Sequence, residues 1–114
     1  MPEQWPAQER VSQIRLKASD ALSLVAGGAA LIDLRTPQWQ ARGGLIEGAR
    51  VVGKIDALDA LRAERDCALI LFCANDEASG SVVRLLRKAG FTQVADVEGG
   101  FAALAAAGAK VTPV

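Results

Sequence analysis

Ala68-Leu69-Ile70-Leu71-Phe72-Cys73, followed by Ala74-Asn75-Asp76-Glu77-Ala78-Ser79-Gly80, is the stretch that decides the fold. Six apolar residues in a row, with no alternation of wet and dry positions, read as a strand covered on both faces, the pattern of a central strand in a parallel sheet. The run stops abruptly at polar residues. Val82, Val83, Leu85, Leu86 and Ala89 then repeat at helical spacing, with Arg87 and Lys88 in the last turn and Gly90 as the stop.

The same alternation extends in both directions. On the N-terminal side, Ala29–Leu34 is a second apolar run broken by one acid and read as a buried strand, ended by Arg35-Thr36-Pro37. Before it, Ser19 is expected to cap a short helix over 19–26 that Gly27-Gly28 closes. Ile14, Leu16 and Ala18 alternate with Arg15 and Lys17, which predicts an edge strand. Between the two buried runs lie a weak helical stretch at Gln38–Arg42, a short strand at Ala49–Val52, and a helix near Asp56 whose inner face is Ile55, Leu58 and Leu61. On the C-terminal side, Val94–Val97 reads as the last strand, and Gly99-Gly100 leads into a final helix carrying Phe101 and Leu104. Strand and helix in turn mean an α/β domain with about five mainly parallel strands and right-handed crossovers. Residues 1–10 contain two prolines and no steady period, and are read as an arm leading into one domain over 11–114.

Composition narrows the function. Lys and Arg total 13 and Asp and Glu total 13, so there is no positive excess to follow a phosphate backbone, and at 4% aromatic residues there is no stacking platform either. Nucleic acid is therefore not an expected partner. No apolar run approaches the ~20 residues of a spanning helix, and the first residues lack an export pattern, so the expectation is a cytoplasmic protein without membrane attachment. With no His in the sequence, Ser-His-Asp and Cys-His catalysis and imidazole-based zinc sites are excluded. Gly43-Gly44-Leu45-Ile46-Glu47-Gly48 has the spacing of a phosphate loop, but Ala49-Arg50 stands where Lys and Ser or Thr belong.

The two cysteines are read separately. At ~3.3 Å per strand residue, Cys67 and Cys73 are too far apart for a disulfide, which needs Cα atoms within ~7 Å. Cys67 opens the strand at the end away from the ligand-binding edge and is read as a small core residue. Cys73 closes the strand at its carboxyl end, where open parallel sheets bind ligands. Backbone N–H groups of residues 74–79 and the following helix dipole can gather round its sulfur, which favours the thiolate. A packed core thiol is the plainer alternative at that position.

These residues resemble a single-domain rhodanese, a family of sulfurtransferase-like domains, from about Ser12 to Val114. Leu31-Ile32-Asp33-Leu34-Arg35-Thr36-Pro37 is similar to the family's Asp-x-Arg strand end, and Gly44-Leu45-Ile46-Glu47-Gly48-Ala49 to its Gly-His-Ile-Pro-Gly-Ala turn. Leu71-Phe72-Cys73 through Ser79 matches the active-site strand and six-residue loop. Ala89-Gly90-Phe91-Thr92-Gln93-Val94 and Val97-Glu98-Gly99-Gly100-Phe101 match the closing stretch.

The resemblance implies a three-layer α/β/α domain in which Cys73 takes sulfane sulfur from a small donor as a persulfide and passes it to a thiol or cyanide-like acceptor, with no cofactor and no metal. By the same resemblance the amides of Ala74, Asn75, Asp76, Glu77, Ala78 and Ser79 form the cradle, with the Ser79 hydroxyl adding a hydrogen bond. Asp33 and Arg35 support the site, most simply as partners that fix loops.

Three departures stand out. Asp76 and Ala78 occupy positions where the family's loop has Gly and Arg, so the anion-binding Arg is missing, and with Glu77 two carboxylates oppose both a thiolate and thiosulfate. Leu45 replaces the turn's His, and Leu104 replaces the last helix's Trp. A sulfurtransferase poor with thiosulfate is the first expectation. A non-catalytic binding module whose acidic loop docks a protein partner is the second. Phosphatase-like chemistry is disfavoured by the missing Arg.

Overall fold

The computed structural model describes residues 15–114, and of Asp76 and Glu77 it describes the backbone. The expected arm over residues 1–10 and the position of Ile14 lie outside the described residues. In chain order the elements are β1 (Arg15–Leu16), α1 (Ala18–Ala26), β2 (Ala30–Asp33), α2 (Pro37–Gly43), β3 (Leu45–Ile46), β4 (Arg50–Val51), α3 (Ala57–Ala60) with a 3-10 turn (Arg62–Glu64), β5 (Leu69–Phe72), α4 (Asp76–Lys88), β6 (Val94–Val97), α5 (Gly100–Ala106) and β7 (Val111–Thr112).

Five strands form a wholly parallel sheet in the order β1-β6-β5-β2-β4, so the most apolar run in the sequence is central and β1 is an edge. In β5 the side chains alternate between two cores. Ile70 and Phe72 join Leu16, Leu24, Leu31, Val97 and Leu104 under α1 and α5, while Leu69, Leu71 and Cys73 join Ile32, Leu34, Leu61, Val83 and Leu86 under α3 and α4. Each face of the sheet is closed by its own helical layer, which is the expected α/β/α sandwich, and all four β5 residues are buried.

Several expectations are corrected. Helix α1 starts one residue earlier than its predicted cap: Lys17, extended at φ −68° and ψ 151°, occupies the cap position, and its carbonyl accepts the N–H of Ala21 at 2.9 Å. Ser19 therefore lies inside the helix, and Ala18 belongs to the helix and not to β1. Ile55 does not share a face with Leu58 and Leu61. It precedes the helix, in a turn closed by Asp56 N–H on the Gly53 carbonyl at 3.0 Å, and is 97% exposed, while Ala57 takes the buried place. Cys67 is exposed and not a core residue. Its N–H closes a turn on the Glu64 carbonyl at 2.9 Å, so the chain has not yet entered β5.

Helix α4 begins at Asp76, so residues 76–79 form its first turn instead of a free loop, and Gly80 sits within the helix. That glycine has a steric reason. A Cβ there would stand 2.8 Å from Arg15 Nη2, whose guanidinium binds Asp96 through Nε at 3.0 Å and Nη2 at 2.9 Å.

A small antiparallel pair, β3 with β7 (Leu45 opposite Thr112, Ile46 opposite Val111), was not expected from the sequence. Gly44 makes it possible: at φ +90°, a side chain there would place Cβ 2.6 Å from the Thr112 carbonyl oxygen.

Candidate active site

The sheet register brings the expected site residues to one edge. Asp33 is opposite Phe72, and the Leu34 N–H donates to the Phe72 carbonyl at 2.8 Å, so Arg35 and Cys73 leave neighbouring strand ends together. Cys73 is 3% exposed, and its thiol donates to the carbonyl oxygen of Asn75. Cys73 lines a pocket of about 120 Å³ together with Arg35, Thr36, Trp39, Lys54, Ala74, Asn75 and Ala78. That volume holds roughly four waters, enough for a small anion.

The pocket opens where α4 begins. This helix runs from Asp76 to Lys88, and the N–H groups of its first turn, within residues 76–79, have no partner inside the helix. Their dipoles sum to a partial positive charge that begins three residues beyond Cys73, an arrangement suited to a sulfur anion. The side chains of Asp76 and Glu77, on which the expected acidic character of the loop depends, lie outside the described residues.

Asp33 and Arg35 act as fixing partners. Arg35 Nε and Nη2 reach the Asp33 carboxylate at 3.1 and 2.8 Å, Nη2 also donates to the Gly44 carbonyl at 2.7 Å, and both side chains are 1% exposed. The guanidinium lies 4.1 Å from the centre of the Phe101 ring and 5.7 Å from that of Phe72. One arginine thus binds the end of β2, the turn into β3 and the start of α5 into a single wall. Asp33 itself stands behind Arg35 and does not line the pocket.

Ser79 is placed differently from the expectation that its hydroxyl joins the cradle. It is fully buried and donates to Asp96 Oδ2 at 2.8 Å. A hydroxyl has one proton, so this donor serves the α4 to β6 contact.

Two features had no readable signal in the sequence. Gly100 stands at φ +61°, where a Cβ would meet the Cys73 carbonyl oxygen at 2.5 Å, and the next N–H, of Phe101, donates to that same oxygen at 2.9 Å. Lys54 reaches the pocket from the segment after β4. A larger cavity, about 390 Å³, lies at the opposite end of the sheet beside Cys67. Among the described residues no group of three or more His, Cys, Asp or Glu is arranged to hold a metal ion, and no helix is long and apolar enough to cross a membrane.

Comparison with known proteins shows the family and the fold. The family description "Rhodanese-like domain" matches residues 17–107. A thiosulfate sulfurtransferase GlpE of Pseudomonas entomophila is 34% identical over 88 residues, covering 76% of this chain and 80% of the relative. Among solved structures, the rhodanese-like domain of the Alr3790 protein from Anabaena superposes with a TM-score of 0.76 at 27% identity, covering 89% of this chain and 80% of that one. A protein of unknown function from Rhodopseudomonas palustris, described as a possible tyrosine phosphatase, gives a TM-score of 0.76 at 25% identity, covering 92% and 89%. With a family model over residues 17–107 and a relative 34% identical, the chain belongs to the rhodanese-like domain family.

Proposed function

We propose that the protein is a sulfurtransferase that carries sulfane sulfur on Cys73. The observation behind this reading is the position of Cys73, on the lining of a small pocket at the carboxyl end of the central strand and three residues before the first turn of α4. Its relative GlpE is a thiosulfate sulfurtransferase. In the first half-reaction the Cys73 thiolate attacks the sulfane sulfur of the donor. The new Sγ–S bond forms as the donor's S–S bond breaks, and the electron pair leaves with the donor fragment. In the second, a thiol or cyanide-like acceptor attacks the outer sulfur and the Cys73 thiolate is released.

The Asn75 carbonyl accepts from the thiol only while Sγ keeps its proton. On ionisation the sulfur turns to the amide donors at the start of α4, which also hold the negative charge of the persulfide. With no Arg between residues 74 and 79 and two acids there, the dianion thiosulfate is a poor donor. The same missing cation argues against phosphoryl transfer, because a phosphorylated intermediate carries charge that must be held.

Intact mass after incubation with polysulfide or thiosulfate, followed by cyanide, tests this on wild type and Cys73→Ser. The expected result is a gain of one sulfur that requires Cys73 and is removed by cyanide. A folded wild-type protein that no donor loads overturns it, in favour of a non-catalytic module that docks a protein partner at the 74–79 segment.

A further inference from the structure

The pocket wall contains two cations in very different states. Arg35 is spent within the fold: its Nε and Nη2 face the Asp33 carboxylate, Nη2 also serves Gly44, Nη1 is directed at the Trp39 carbonyl, and its plane lies on Phe101. Its charge is neutralised by Asp33 before it reaches the pocket. Lys54 is exposed and makes no ion pair with any described residue, yet it lines the pocket that Cys73 lines. Arg42, also nearby, is placed over the Trp39 ring at 5.4 Å and does not line this pocket.

Lys54 also stands at a junction. Beside the Cys73 pocket runs a groove of about 260 Å³ that shares Arg35, Thr36 and Lys54 with it and is otherwise walled by Leu34, Pro37, Gly53 and Ile55, with the acid Asp56 also on its lining. Ile55, at 97% exposed, is the most exposed large apolar side chain described, and this groove is what it borders. A small compartment lined by Cys73, one lysine without an ion pair among the described residues, and an adjoining, mostly apolar groove together describe a ligand with one negative charge and a carbon body.

We propose that Lys54 determines donor specificity: its ammonium pairs with the single negative charge of an organic thiosulfonate or persulfide, while the groove takes the donor's carbon substituent. This rests on the sulfur-transfer reading above and names its donor class. With a thiosulfonate, R–SO₂–S⁻, the Cys73 thiolate attacks the terminal sulfur. The Sγ–S bond forms, the S–SO₂ bond breaks, and the electron pair leaves with the sulfinate R–SO₂⁻, so no oxidant or reductant is consumed. One lysine meets a monoanion without residual charge, whereas thiosulfate keeps a second negative charge near the acids of the 74–79 segment.

The test uses the Cys67→Ser protein, so that Cys73 is the single thiol, with Lys54 intact, Lys54→Gln or Lys54→Arg. Sulfur loading is followed with benzenethiosulfonate and with thiosulfate. The expected kcat/KM is about tenfold higher for benzenethiosulfonate. Lys54→Gln should lower it about five- to tenfold, through KM, and Lys54→Arg should restore it to within about twofold. A second readout needs no sulfur donor: the ratio of Cys73 alkylation by anionic iodoacetate to that by neutral iodoacetamide should fall about threefold in Lys54→Gln and recover in Lys54→Arg. Loading by either donor that is indifferent to Lys54→Gln overturns the role of Lys54, and a preference for thiosulfate overturns the donor class. If neither donor loads Cys73, the sulfur-transfer reading fails and the donor assignment with it. The alkylation ratio then still decides the lysine, and an unchanged ratio overturns its role.

Discussion

The amide of Phe101 donates to the carbonyl oxygen of Cys73 at 2.9 Å, while the Phe101 ring lies 4.1 Å from the Arg35 guanidinium. One residue of the last helix therefore fixes the backbone of the sulfur-bearing cysteine and the arginine that builds the pocket wall. Strand β5 positions Cys73 along the sheet, and α5 sets the angle at which the chain leaves it.

That coupling depends on Gly100. At φ +61°, a side chain there is strained, and its Cβ would meet the Cys73 carbonyl oxygen at 2.5 Å. Gly48 has φ +85° but open space around it, and so isolates the conformational cost. Gly48→Ala is expected to lose about 1–2 kcal/mol from the left-handed backbone alone. Gly100→Ala should lose more and also slow sulfur loading of Cys73, because backbone must move at the site. Urea midpoints and loading rates of the two variants check this, and equal losses with unchanged loading would refute it.

The Asp33 and Arg35 pair makes a sharper prediction about stability. Both side chains are 1% exposed, and Arg35 makes its closest contacts to Asp33 Oδ2 at 2.8 Å and the Gly44 carbonyl at 2.7 Å. Asp33→Asn leaves a buried guanidinium without its counter-charge and should cost about 3–5 kcal/mol. Pairing it with Arg35→Met removes the orphaned charge, so the double variant should be more stable than the sum of the singles implies, by about 1 kcal/mol or more. A denaturant double-mutant cycle measures the coupling, and additive losses would show that the two residues act independently.

The parallel sheet was legible because its evidence is local. Leu69–Phe72 and Val94–Val97 are apolar without alternation, and only strands covered on both faces look like that. The placement of Arg35 and Cys73 just beyond neighbouring strand ends was legible from where each apolar run stops. What the sequence hid depends on partners far along the chain. Arg15 and Asp96 are 81 residues apart, and their pairing explains Gly80 inside a helix. The β3–β7 pair joins Leu45 to Thr112, two residues to a strand, too short to leave a period. Ile55 misled for a related reason: spacing of three matches a helix face only if the helix has begun, and α3 begins at Ala57.

Ser79 separates structure from chemistry. Its hydroxyl proton goes to Asp96 Oδ2 at 2.8 Å, and Asp96 is also held by Arg15. Ser79→Ala is therefore expected to cost about 1–2 kcal/mol of stability, measured by thermal or urea unfolding, and to leave the rate of sulfur loading on Cys73 unchanged at temperatures where the variant is folded. A loss of loading in the folded variant, with stability intact, would instead return the hydroxyl to the pocket.

The two thiols should behave in opposite ways. Cys67 is exposed in the turn before β5, beside the cavity formed with Glu64, Asp66 and Gln93, whereas Cys73 is 3% exposed and enclosed by the start of α4. A bulky aromatic disulfide reagent should thus modify one thiol quickly, and Cys67→Ser should abolish that fast phase. Because Cys67 packs in neither core, the same substitution should change unfolding stability by no more than about 0.5 kcal/mol. A sulfane-sulfur donor should show the reverse preference, since only its narrow terminal sulfur has to enter the pocket of about 120 Å³ that Cys73 lines. Fast labelling of both cysteines by the bulky reagent, or sulfur uptake that survives Cys73→Ser, would contradict this division between an accessible surface thiol and a gated one.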